Sequence, residues 1–496
     1  MKIGLIPLDE RPANTRYPRM IAAIGGAELC LPPADLLSRF RQSAPCDKLA
    51  SWLDEQAAAW DALIVSCEML GCGGLIASRT SDDSADSIIA RQGALRRLRQ
   101  RHPALTIYGT NVIMRVSRHN DATEEPPYWA EHGAQLYRLS QLMHRSEMGQ
   151  GVSAELREAR LALPPEVVAD FVARRHRGHQ INRAALGLLA DGVFDLLVLS
   201  SDDTSLYGLP AREKKLLARR AELLEVGERL LMYPGADEVS SALVARLLNQ
   251  AAGRTPSFRP VYLLPGEGEQ VAPFEDGPVT ATVERQVRAA GGRLIADGPA
   301  DVTLFVHPPL APDAEWVGDY PDDAYPPDRR ADLLAGTAQI ARALAQGDRV
   351  ALADAGYANG ASHTLMRALA QQGSLLRLAA FGAWNTAGNS IGTTAAQASA
   401  ALAGDADANR RFLLHRLVED WGYQTIVRYD LRAYLHQTTG SGEPAPADLP
   451  EVCAWTAARL GAFLADVDAS CRLDDVTLPW SRTFEVDFDL LCPEAP

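Results

Sequence analysis

Leu197-Val198-Leu199-Ser200-Ser201-Asp202-Asp203-Thr204-Ser205-Leu206-Tyr207-Gly208 is the stretch on which the reading of this chain turns. An apolar run of strand length leads straight into two carboxylates, and a helical pattern, Arg212–Glu225, follows Pro210. A continuous apolar run has no solvated face, so such a strand is buried on both sides, as strands of parallel sheets are. A helix then has to carry the chain back to the start of the next strand.

The same succession recurs on either side. Ile3–Leu8, Glu28–Leu31, Ala62–Ser66, Leu105–Gly109, Asp195–Ser200 and Arg229–Tyr233 read as one set of strands. Pro260–Leu264, Arg293–Ala296, Val302–Val306, Arg349–Ala353 and Arg377–Phe381 read as a second. Helical stretches lie between them: Asp86–Arg99, Glu155–Leu163, Glu238–Asn249 and Arg330–Gln346. The fold class is therefore α/β with mainly parallel strands. The polar segment Ala251–Arg259 divides the chain. Residues 1–255 form a larger α/β domain, barrel-like or open-sheet, and residues 256–400 a smaller one of Rossmann or flavodoxin type. Residues 401–496 read as mostly helical, with an edge-strand pattern in the tail from Trp480 to Phe488. Pro308–Arg329 reads as a long loop of the kind that covers a site.

Composition narrows the function classes. The net charge of −14 argues against nucleic acid, whose phosphates need a cationic face. The basic run Arg96–His102 reads as a solvated helix face. No apolar run reaches the roughly 18 residues of a membrane span, and Lys2 already opens a strand where a secretory leader would need an apolar core. Seven cysteines without a CxxC read as reduced thiols, so a cytoplasmic location is expected.

Ligands of parallel sheets sit at the carboxyl ends of strands, and here those ends are polar. After the first strand come Asp9, Glu10, Arg11, Asn14 and Arg16. Carboxylates and an amide hold hydroxyls and guanidiniums hold anions, while a capped turn with local ion pairs accounts for the same residues. Glu68 and Arg79 follow the third strand, within a glycine-spaced segment that lacks both the P-loop lysine and the GxGxxG order. Asn111 follows the fourth, ahead of Glu124, Glu125, Tyr128 and Trp129, an aromatic and acidic grouping that suits a sugar. Asp202 and Asp203 close the fifth, with Tyr207 beyond them, and Asp237 and Glu238 follow the sixth. Adjacent side chains at a strand end point opposite ways, and neighbouring carboxylates push one pKa up, which acid–base chemistry uses. Helix N-caps account for Asp237 and for the hydroxyl-rich Asp202 loop as well. In the second domain, Asp354 and Asn359 follow one strand and Trp384, Asn385, Thr386 and Asn389 the next; His307 reads as a lone loop histidine.

Four of these loops carry a resemblance. Pro7-Leu-Asp-Glu-Arg-Pro, Ser200-Ser-Asp-Asp-Thr-Ser-x-Tyr-Gly, Gly235-Ala-Asp-Glu-Val and Trp384-Asn-Thr-Ala-Gly-Asn-x-x-Gly-Thr resemble a bacterial family known as a domain of unknown function. Its members open with this Asp-Glu-Arg-Pro loop, and the likeness covers nearly the whole chain; it implies no activity. A local likeness, confined to Asp202 and Asp203, links the chain to N-acetylhexosaminidases with an Asp-Asp pair at a barrel strand end.

The expected function is a glycoside hydrolase acting on a small carbohydrate. Asp202 and Asp203 are the expected catalytic pair, with Asp237 or Glu238 in reserve. Asp9, Glu10, Arg11, Asn14, Glu68, Arg79, Asn111, Tyr207, Asp354, Asn359, Trp384, Asn385, Thr386 and Asn389 are expected to bind substrate. No cofactor is required by this reading. Two alternatives stand beside it. One is a divalent-metal isomerase, aldolase or amidohydrolase with Asp202, Glu238, His307 and Asp354 as oxygen and nitrogen ligands. The other is a non-catalytic protein that binds a small polar ligand.

Overall fold

The computed structural model describes residues 1–264, 266–309 and 327–493. The long loop expected at Pro308–Arg329 lies for the most part outside the described residues. Two compact units emerge. One comprises Met1–Glu10, Glu28–Ser240 and Phe274–Gly277; the other comprises Arg11–Ala27, Ser241–Pro273 and Pro278–Pro496.

The first unit is built on a sheet of six parallel strands: β1 (Lys2–Ile6), β2 (Glu28–Cys30), β3 (Ala62–Ser66), β4 (Thr106–Ile113), β5 (Leu196–Ser201) and β6 (Leu230–Pro234). Their spatial order is β2-β1-β3-β4-β5-β6. The sheet is open, with β2 and β6 at its edges, so the barrel alternative is set aside. Every residue of β3 and β5 is buried, because both strands are flanked in the sheet and covered on both faces. The order reverses between β1 and β3, the switch point of a doubly wound sheet.

The second unit repeats the plan with five strands: β7 (Ser257–Tyr262), β8 (Arg293–Leu294), β9 (Val302–His307), β10 (Val350–Asp354) and β11 (Ala380–Gly382). Their order, β8-β7-β9-β10-β11, is parallel throughout and flavodoxin-like. The N-terminal helix (Pro12–Ile24) belongs to this unit, where Tyr17 packs 5.6 Å from the Phe412 ring.

Residues beyond 405 are helical as far as Val467, but not uniformly so. Leu417–Val427 is an 11-residue π-helix, a rare geometry that recurs at functional sites. The chain then ends in an antiparallel hairpin, β12 (Arg472–Thr477) with β13 (Asp487–Leu491). The tail strand expected from Trp480 onward is therefore displaced. Trp480 (φ 56°) and Ser481 (φ 53°) take left-handed backbone. There the Trp480 ring meets the guanidiniums of Arg11 at 4.6 Å and Arg482 at 4.5 Å.

The expectation of wholly reduced cysteines is also corrected: Cys471 and Cys492 form a disulfide. They flank the paired residues Arg472 and Leu491, and the antiparallel register brings their Cα atoms to 4.3 Å. Cys30, Cys46, Cys67, Cys72 and Cys453 are thiols.

Candidate functional site

The carboxyl end of the first sheet gathers residues from β3, β4 and β5 and the segments that follow them. β5 delivers Asp202 and Asp203. Asp202 N–H still pairs with Ile113 C=O at 3.3 Å, so its backbone stays in register with β4. Asp203 then turns into left-handed backbone (φ 36°), a conformation that an ordinary residue holds only when its surroundings enforce it. Thr204 N–H donates to Phe274 C=O at 3.0 Å, which anchors the loop to the Phe274–Gly277 segment.

The two aspartates go to different guanidiniums. Arg79, 5% exposed, donates to Asp202 Oδ2 at 2.5 Å and to Glu124 Oε2 at 2.8 Å. Arg115 donates to Asp203 Oδ2 at 2.8 Å, Glu125 Oε1 at 2.8 Å and Glu124 Oε2 at 3.1 Å. Two cations thus stand among four carboxylates, and the acids outnumber the bases. Burial, then the charge of Asp202, raises the Asp203 carboxyl to about 6 against the pull of Arg115 and Arg79. A quarter of the Asp203 side chain remains exposed, more than its neighbours Asp202, Glu124 and Glu125.

Glu68 stands just behind this group. Ser66 caps the short helix Cys67–Cys72 by accepting from Met69 N–H, and this sets Glu68 in the first helical turn. Its Oε1 accepts from Val112 N–H at 2.5 Å and its Oε2 from Ser66 at 3.0 Å. Burial raises its carboxyl to about 7; those hydrogen bonds oppose the rise and the Asp202 charge adds to it.

The other expected residues of this unit lie around the same sheet. Asp9 is buried after β1, and Glu10 accepts from Ser38 and from Phe40 N–H, both at 2.5 Å. Asn111, within β4, donates to Asn182 at 2.7 Å. Tyr207 packs edge-on to His144. Asp237 and Glu238 are buried, and Glu238 accepts from Ala236 N–H at 3.0 Å. Gly235 (φ 133°) makes room for that fold-back, since a Cβ there would fall 2.1 Å from Glu238 Oε1. Tyr128 and Trp129 do not form an open sugar platform. Trp129 is a core residue against Phe171, and the Tyr128 hydroxyl donates to Asp170 at 2.8 Å.

The remaining expected residues belong to the second unit. Arg11 pairs with Glu485 at 3.2 Å, and Asn14 is buried in the N-terminal helix. Arg16 pairs with Asp487 and Asp489, each at 2.6 Å. Asp354, Asn359, Trp384, Asn385, Thr386 and Asn389 cluster at the carboxyl ends of β10 and β11, where Thr386 caps the helix Ala387–Ala400. His307 is no lone histidine: its Nδ1 lies 2.7 Å from Asp354 Oδ1.

The sequence placed Glu124 and Glu125 in a sugar-binding grouping with Tyr128 and Trp129; it gave no role to Arg115 and no signal for Phe274. Among the described residues, no group of three or more His, Cys, Asp or Glu side chains is arranged to hold a metal ion. No helix among them is long and apolar enough to cross a membrane.

Two doubly wound α/β units whose strand ends gather ionisable side chains define the class of protein. Within it, the chain belongs to the family described as Protein of unknown function (DUF4127), whose model matches residues 3–489. No curated protein and no solved structure matches the chain.

Proposed function

We propose that the chain is a carbohydrate-active hydrolase that cleaves a glycosidic bond with Asp202 and Asp203. The observation that carries this reading is the division of labour between the two neighbours. Asp203, partly exposed and raised to about 6, keeps a proton to give in mildly acid solution, up to about pH 6. Asp202 is held against the Arg79 guanidinium at 2.5 Å. In this reading Asp203 protonates the leaving oxygen as the bond to the anomeric carbon breaks. Asp202 steadies the positive charge that develops there, or a substrate acetamide, until water adds to the anomeric carbon and gives up a proton to Asp203, which restores the acid. Arg79 and Arg115 fix the two carboxyl groups, and Glu124 and Glu125 fix the guanidiniums.

The test is turnover of a panel of 4-nitrophenyl glycosides, N-acetylhexosaminides included. Asp203→Asn and Asp202→Asn are each expected to lower kcat at least about 100-fold. The basic limb of the wild-type rate profile should fall above about pH 6, where Asp203 loses its proton, and vanish in Asp203→Asn. Near wild-type turnover in both variants overturns the assignment.

A further inference from the structure

Phe274 is tied to the aspartate pair from two directions. Its C=O accepts from Thr204 N–H at 3.0 Å, one residue beyond Asp203. Its ring lies against Arg118, whose guanidinium carbon stands 4.6 Å from the ring centroid. Arg115 and Arg118 belong to one short segment after β4, and Arg115 holds the Asp203 carboxylate at 2.8 Å. That segment thus receives the Asp203 carboxyl on one guanidinium and the Phe274 ring on the next.

The placing of this ring is enforced. Phe274 (φ 67°) and Asp203 (φ 36°), linked through Thr204 N–H, both take left-handed backbone. A phenylalanine in that region costs stability and persists only where its surroundings impose it, which is common at ligand sites. Asp276 supplies part of the constraint. Its carboxylate accepts from Lys214 Nζ at 2.7 and 3.0 Å, on the helix Leu209–Leu223 that follows the Asp202 loop. Yet the Phe274 side chain is only half-buried. Packing rewards a phenylalanine most when burial is complete, so packing alone does not account for a strained backbone that leaves the ring partly open.

We propose that Phe274 is the platform of the Asp202–Asp203 site, on which a pyranose ring of the substrate stacks. The inference rests on the hydrolase reading and deepens it, because it names a cyclic sugar as the substrate. The face of the aromatic ring takes the apolar C–H face of a pyranose, and ionised carboxylates beside it accept from the outward hydroxyls. An acyclic polyol offers the hydroxyls without the flat face.

The test is isothermal titration of the full chain with the methyl glycosides of D-glucose, D-galactose, D-mannose and N-acetyl-D-glucosamine, with xylitol as the acyclic probe. At least one glycoside is expected to bind, and more tightly than xylitol. Phe274→Gly removes the ring and suits the left-handed backbone; the Thr204 bond survives because it is made to the main chain. This variant is expected to weaken the bound glycoside about tenfold. Phe274→Tyr keeps the ring and is expected to stay within about twofold of the wild type. Circular dichroism checks that both variants fold. Failure of every glycoside to bind, xylitol bound as tightly as the best of them, or a Phe274→Gly variant that binds like the wild type overturns the platform. So does a Phe274→Tyr variant as weak as Phe274→Gly. Turnover of 4-nitrophenyl glycosides is read separately. Binding that depends on Phe274 without turnover sinks the hydrolase reading and keeps the platform. Turnover with a KM unchanged in Phe274→Gly does the reverse.

Discussion

Glu68 offers a test at the residue scale that needs no substrate. Its carboxyl is raised from 4.5 to about 7, chiefly by burial. The folded protein therefore holds this proton more tightly than the unfolded chain does. The stabilisation that follows is complete at acid pH and is lost as the pH climbs through about 7. A displacement of that size corresponds to about 3 kcal/mol. Glu68→Gln mimics the neutral form and should flatten this dependence. In urea unfolding the variant is expected to exceed the wild type near pH 8 and to lose that lead near pH 4. Parallel curves for the two proteins would contradict the account. Individual residues were legible in the sequence to an uneven degree. Asp202 and Asp203 announced themselves, since an apolar strand running into two carboxylates is a local pattern. Their counter-ions did not, because Arg79 and Arg115 lie far away along the chain and meet the pair only through the order β3-β4-β5. Phe274 carried no signal at all, as its part depends on a backbone contact with Thr204.

Elements were the most legible level. All eleven strands of the two sheets were found within a few residues; the central ones, such as β3, β5, β9 and β10, are buried along their whole length and so write themselves as apolar runs. The hairpin was not found in register. β13 begins at Asp487, since Trp480 and Ser481 turn left-handed where alternation alone suggests an extended strand. Nor could the disulfide be read from seven cysteines, because only the pairing of β12 with β13 brings Cys471 to Cys492. That bond closes a sequence separation of 21 residues, and by loop-closure entropy it contributes about 3 kcal/mol. The double variant Cys471→Ser/Cys492→Ser is expected to melt lower than the oxidised wild type. A reducing agent should lower the wild-type Tm toward the variant's and leave the variant unmoved. A wild type whose Tm ignores the reductant would remove the disulfide from the stability of the second unit.

At the scale of the whole molecule, the chain does not finish one unit before starting the next. It passes from the first to the second after Glu10 and returns at Glu28; it leaves again after Ser240 and revisits the first at Phe274–Gly277. Hydrophobic patterning is blind to such passages, because it reports that a segment is buried but not against what. A fragment of residues 241–496 therefore lacks a helix that the second unit is built with. It should unfold without a sharp transition in urea, and a peptide of residues 11–27 added in trans should restore cooperativity. A fragment that unfolds sharply by itself would contradict this. The N-terminal helix also puts a delay into biosynthesis. Tyr17 leaves the ribosome 395 residues before its ring partner Phe412 (412 minus 17). At the usual pace of translation that is a wait of about 20 to 80 s. The first helix to be made is thus among the last to find its seat, and a nascent chain must shelter Tyr17 and Ile21 from wrong partners in the meantime.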